Sequence, residues 1–205
     1  MKEFHVKSGR VLLVVRFPHS IGGDLMKLKT MVKFALLALV LSTQSAFAAP
    51  PMGNAQDLAD AKALWKALAA RGLVGPHRIM STPYKGQPPH GAILDAIDSK
   101  ITVNGHTGAV IIKRNYGGPG VSKQAVANNP GKYLKAVTVM FKREQGYDSQ
   151  DRDWFWAKFK PNGSLHTNPK GIKLAGRVAK GLPAGCIACH QGAPGGDFVF
   201  NNNRN

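Results

Sequence analysis

The chain has 205 residues, with 28 Lys and Arg against 11 Asp and Glu, a formal net charge of +17 at pH 7. So basic a protein suits nucleic acid, an anionic membrane surface or an acidic partner protein. The basic residues are spread along the chain without a polybasic run, and no apolar run approaches the roughly 20 residues that cross a bilayer, which excludes a membrane-spanning chain.

In chain order, residues 1–25 carry only a short apolar stretch at 10–16 (RVLLVVR) and fit no targeting pattern; they read as an over-extended start, with translation beginning at Met26. Residues 26–48 read as a signal peptide. Lys27, Lys29 and Lys33 precede the apolar run 34–41 (FALLALVL), and Ala46-Phe47-Ala48 supplies the small-x-small pattern of a cleavage site after Ala48. The expected destination is the periplasm, where a nucleic-acid partner is excluded. Removing residues 1–48 takes away seven basic and two acidic residues, so the mature domain, 49–205, keeps a net charge of about +12. That charge favours steering toward an acidic redox partner.

Residues 54–71 read as an amphipathic helix: Leu58, Ala61, Leu64, Trp65, Leu68 and Ala69 fall on one face, Asn54 or Asp57 caps the start, and Gly72 follows the end. Residues 75–91, with four prolines and three glycines, read as loop. β-like runs follow at 101–103, 109–112 and 136–141, with an Asn104-Gly105 hairpin turn and a glycine-rich loop at 117–120. That loop lacks the Gly-Lys-Ser/Thr ending and following helix of a phosphate cradle. The aromatic run 154–159 (WFWAKF) precedes a Pro161-Asn162-Gly163 turn. The fold class is therefore α+β: a β-dominated antiparallel sheet domain with an N-terminal helix and a C-terminal attachment segment.

The two cysteines sit together in Cys186-Ile187-Ala188-Cys189-His190. A structural disulfide does not need the following His. A thioredoxin-like pair expects a βαβ context, and a zinc site needs two further ligands that the scattered histidines do not supply. His is only 7 of 205 residues, so its place directly after Cys189 is not expected by chance. Two thiols at this spacing reach the two vinyl groups of one haem and put the adjacent imidazole under the iron. The motif therefore reads as haem c attachment, with Cys186 and Cys189 as tethers and His190 as proximal iron ligand.

Three segments in this order resemble the cytochrome P-460 family, which includes the cytochromes c-prime-beta. They are 108–113 (GAVIIK) with Gly118-Pro119-Gly120, then 154–159 with its turn, then Leu182-Pro183, the haem motif and 197–200 (DFVF). The resemblance implies a small, mostly β, dimeric periplasmic protein whose five-coordinate c-haem keeps an open distal face. It implies either oxidation of hydroxylamine and nitric oxide or, in the c-prime-beta relatives, binding of nitric oxide or carbon monoxide. It also implies that Lys113 matches the lysine that members of the family cross-link to the porphyrin. One departure matters: an ungapped count back from Trp154 places Thr138 where the catalytic members carry a distal carboxylate, and 136–141 holds no acid. A hydroxyl relays protons without serving as a tuned base, so no catalytic residue is assigned.

Met80 and Met140 are candidate sixth iron ligands that read better as core filler. No Met follows the haem motif, which weighs against a six-coordinate electron carrier. His77, His90, His106 and His166 lie in polar or Gly/Pro-rich stretches and read as surface residues.

Overall fold

The computed structural model of the protein describes residues 52–200; the readings of 1–25 and 26–48 lie outside them. Helix α1 (Ala55–Ala70) starts where the sequence places it, and both candidate caps are used. The Asn54 side chain accepts from the Asp57 backbone N–H, and the Asp57 carboxylate accepts from the Asn54 N–H. Ala61, Leu64 and Leu68 are buried, whereas Leu58 and Ala69 face outward.

Six strands form one antiparallel sheet in chain order: β1 (Tyr84–Lys85), β2 (Ile93–Val103), β3 (His106–Tyr116), β4 (Leu134–Lys142), β5 (Trp154–Phe159) and β6 (Ala175–Gly176). Asn104 and Gly105 take φ of 49° and 83°, the left-handed pair that closes a two-residue hairpin, so β2 and β3 pair along their whole lengths. Two short helices, α2 (Lys123–Asn128) and α3 (Pro130–Tyr133), follow the glycine loop before β4. Helix α4 (Cys186–His190) is the haem motif itself.

Side-chain alternation gives the sheet two different faces. Val110 and Ile112 of β3, Val137, Val139 and Phe141 of β4, and Phe155, Ala157 and Phe159 of β5 pack with Leu64 and Leu68 of α1 into the main core. Each of those buried aliphatic side chains contributes about 1.5–3 kcal/mol. On the opposite face Ile111, Met140, Trp154 and Trp156 pack with Val178, Ala179, Ile187 and Phe198 from the C-terminal segment. The fold class matches the sequence expectation: an antiparallel sheet, an N-terminal helix, and a Cys-x-x-Cys-His segment carried late in the chain.

Strand β2 begins eight residues before the run expected at 101–103. Asp95 and Asp98 disguise its first half. Asp95 is fully buried because the register sets it opposite Arg114, whose Nη1 lies 3.1 Å from its carboxylate, and Tyr116 donates to the same carboxylate at 2.5 Å. Burial outweighs the pair's attraction, pushing the Asp95 carboxyl above and the Arg114 guanidinium below their ordinary values. Among the described residues no helix is long and apolar enough to cross a membrane.

Candidate haem-binding site

A cavity of about 290 Å³ lies between the second sheet face and the C-terminal segment, and Cys186, Cys189 and His190 line it together with Lys113, Thr138, Met140 and Trp156. The sequence-predicted site residues thus converge on one place. A larger cavity of about 410 Å³ lies elsewhere, bordered by Leu64 of α1 and the hairpin turn, and its polar lining includes Asp60, Arg143 and Glu144 but no thiol.

The backbone around α4 is built for close approach. Gly185, immediately before Cys186, takes φ 130° and ψ −166°, a region open essentially to glycine alone. A Cβ there would overlap the Ala179 side chain, which itself sits at φ 65°. The segment before α4 is pinned from outside. Asp148 and Asp151, both buried, accept from Lys180, and Arg177 lies 3.5 Å from Asp148. Gln191, just past the helix, donates to Asp151 at 3.1 Å.

His190 is buried, and its Nδ1 donates to the Phe198 carbonyl at 2.6 Å, which leaves Nε2 with its lone pair. Metal-bound histidines are oriented in this way. Phe198 reaches that position at φ 62°, a left-handed conformation that is uncommon for a bulky residue, and Trp154 Nε1 donates to the neighbouring Asp197 carbonyl at 3.0 Å. The imidazole stands edge-on between Trp156, at 4.8 Å between centroids, and Phe200, at 5.4 Å. Burial drives its pKa down to about 4, so the ring is neutral at physiological pH, the state in which imidazole binds metals. Cys186 and Cys189 are both free of disulfides, and burial raises the Cys186 pKa so that it rests as a thiol.

These residues fit a covalently held haem. The site supplies two unpaired thiols one helical turn apart, a neutral imidazole with a bare Nε2, an apolar wall, and a buried Trp156 indole N–H with no hydrogen-bond partner among the described residues. A zinc reading fails on its ligand count. Among the described residues, no cluster of three or more His, Cys, Asp or Glu forms a metal site.

The sheet floor of the cavity is a cross-strand row. Lys113 of β3 pairs in register with Thr138 of β4, which pairs with Lys158 of β5. Lys113 is buried and faces the cavity. The Thr138 hydroxyl donates to the Lys113 carbonyl at 3.3 Å. No carboxylate lines the cavity among the described residues, and Thr138, the position counted back from Trp154, borders it with a hydroxyl.

Sequence patterns of the family described as Cytochrome P-460 match residues 94–201, more than half of the chain and all of the segment from β2 through the haem motif. The chain belongs to the cytochrome P-460 family. Membership implies a haem c, and the Cys-x-x-Cys-His helix beside the cavity is the place for it. No curated protein and no solved structure matches the chain.

Three residues of this P-460 site escape the sequence reading. His90 is the clearest correction: it is not a surface residue but lines the cavity, half-buried, with its ring centroid 6.3 Å from that of His190. Lys158 also lines the cavity, and Phe198 supplies the carbonyl that orients His190. Met80 lies against Tyr116 and Arg114 on the other sheet face, away from His190, whereas Met140 is a cavity wall.

Proposed function

We propose that this protein is a periplasmic mono-haem cytochrome that binds small nitrogen species, with nitric oxide as favoured guest and hydroxylamine as a slowly oxidised second substrate. One observation carries the reading: the two thiols, His190 and Lys113 converge on a largely apolar cavity that no carboxylate lines among the described residues. Cys186 and Cys189 would hold the haem through thioether bonds, and His190 Nε2 would bind its iron, oriented by the Phe198 carbonyl. The haem, when bound, supplies gas binding and one-electron chemistry.

The chain's own residues then decide what that chemistry is used for. Met140 and Trp156 give the cavity an apolar wall, which suits small neutral guests. Oxidising hydroxylamine requires proton removal. Thr138 has no tuned base to offer, so the cavity supports binding better than turnover. Lys113 borders the same cavity as the thiols, which supports an amine–porphyrin bond there; such a bond would alter the macrocycle without changing the axial ligand. The basic surface suits an acidic electron partner, and the family resemblance suggests a dimer.

The test uses mature protein recovered from the periplasm. Its intact mass should equal the chain from Ala49 plus one haem that resists acid-acetone extraction. The reduced protein should take up nitric oxide stoichiometrically while hydroxylamine turnover stays slow. Extractable haem would overturn the attachment, and rapid hydroxylamine turnover would put the catalytic version ahead of binding.

A further inference from the structure

After α4 the chain turns back as residues 194–200 (PGGDFVF), a tail outside every helix and strand. Among the described residues this tail makes hydrogen bonds at three points, all on Asp197 and Phe198. The Phe198 carbonyl accepts from His190 Nδ1 at 2.6 Å, the Asp197 carbonyl from Trp154 Nε1 at 3.0 Å, and the Asp197 carboxylate from Lys142 Nζ at 2.7 Å. The first of these is short for an N–H donor, whose usual length is about 2.9–3.0 Å.

Two consecutive peptide groups make this arrangement. A peptide group is planar, so the Asp197 carbonyl shares one plane with the Phe198 N–H, and the Phe198 carbonyl lies in the next. The planes meet at the Phe198 Cα, where φ is 62°. Holding the first plane and fixing that turn decides where the second carbonyl points. Gly195 and Gly196, at φ 86° and 72°, give the approach to these planes little stiffness of its own. The stiffness comes from Trp154. It opens β5, is 2 % exposed, and belongs to one buried cluster with Ile187 of α4 and Phe198. Its in-register neighbour on β4, Lys142, lies 4.6 Å above the indole ring and reaches the Asp197 carboxylate. That ion pair is partly exposed and secondary. The buried indole N–H dominates, because it keeps an acceptor only while the first plane stays in place.

We propose that Trp154 is a positioning residue that sets the redox balance of the haem: its indole N–H fixes the peptide plane that aims the Phe198 carbonyl at His190. This rests on the haem reading above, in which His190 Nε2 binds the iron. A carbonyl held close to the Nδ1 proton makes the imidazole a more basic, more electron-rich ligand. Such a ligand favours ferric over ferrous iron and lowers the reduction potential. Trp154 acts through the Asp197–Phe198 peptide, whereas the ring that stands against His190 is that of Trp156. The two tryptophans flanking Phe155 therefore have different tasks: Trp156 lines the cavity, and Trp154 holds the tail.

The experiment takes mature protein whose covalent haem has first been verified as a pyridine haemochrome; absence of that signal would sink the underlying haem reading rather than this one. Trp154→Phe keeps an aromatic body and removes the N–H. In spectroelectrochemical titration its ferric/ferrous ratio at a fixed potential should fall about two- to tenfold, the range of one hydrogen bond's net worth. For one electron that is a rise of about 20–60 mV in reduction potential. The iron–histidine stretching band of the ferrous protein in resonance Raman should move to lower frequency. Trp65→Phe is the matched control: it removes an indole packed against Phe159 in the main core and should leave both readouts at wild type. A structural role alone would lower the unfolding midpoint and move neither readout. An unchanged or lowered potential in folded Trp154→Phe, or an equal shift in Trp65→Phe, overturns the assignment. Should Trp154→Phe fail to accumulate, Lys142→Ala decides, since it loosens Asp197 from the partly exposed side. An iron–histidine band unmoved in that variant overturns the assignment as well.

Discussion

Gly185→Ala tests whether the backbone before Cys186 is as constrained as its geometry requires. At φ 130° and ψ −166° an alanine enters a region that costs about 1–3 kcal/mol. Its Cβ also overlaps the Ala179 side chain, a crowding worth about 1–3 kcal/mol more. The expected loss is therefore about 2–6 kcal/mol. Gly181→Ala is the matched control in the same segment: its φ is 69°, nothing lies within 4 Å of the added methyl, and the cost is about 1 kcal/mol. With a urea slope of about 2 kcal/mol/M, the unfolding midpoint should fall by roughly 1–3 M for Gly185→Ala and by about 0.5 M for the control. The fraction of exported chains carrying covalent haem, read as pyridine haemochrome per protein, should drop for Gly185→Ala and stay near wild type for Gly181→Ala. Equal midpoints for the two variants would refute the strain argument, and normal haem loading in Gly185→Ala would separate that strain from presentation of the cysteines.

Lys113→Leu should convert a red-shifted Soret band to an ordinary c-type spectrum, and a tryptic digest of wild type should give one haem-linked peptide set containing both 186–190 and Lys113; an unmodified Lys113 peptide removes the cross-link. Thr138→Glu places a carboxylate between Lys113 and Lys158 in the cavity floor and should raise hydroxylamine turnover over wild type, measured with a chemical electron acceptor; no gain would show that the missing base is not what limits the reaction. Asp95→Ala strands Arg114 where both side chains have no exposure, so chemical denaturation should show a loss of about 3–5 kcal/mol while the haem spectrum of the folded fraction is unchanged.

Helix α1 and strand β5 could be read from residue order because their local patterns match their final environments: a helical apolar face against the sheet, and an aromatic run inside it. The first half of β2 could not. Asp95 and Asp98 break its apolar pattern, and burial of Asp95 makes sense only once register brings Arg114 opposite it. The haem motif was legible because its chemistry is compressed into five consecutive residues. His90 was not, because what matters about it is where a Gln-Pro-Pro-His-Gly loop lands, and the one local sign was a His followed by a Gly that allows close packing. The Phe198 carbonyl carries no side-chain signature at all, and only its positive φ reveals why it faces His190.

The division of labour between the two sheet faces gives these substitutions different meanings. Along β3 every residue from Val110 to Tyr116 is buried, so burial alone cannot say which ones serve the site. Parity can. Val110 and Ile112 point into the main core and Arg114 to its buried ion pair, while Ile111 and Lys113 point into the cavity and Asn115 holds His90 over it. A slip of one residue would exchange the two sets, burying Lys113 against α1 and turning the Arg114 guanidinium toward the thiols. The Asp95–Arg114 pair opposes that slip, because it leaves two charges unpaired in any register but its own. The penalty for unpairing those buried charges thus adds to the hydrophobic pattern of β3 in holding the register that turns Ile111 and Lys113 toward the cavity.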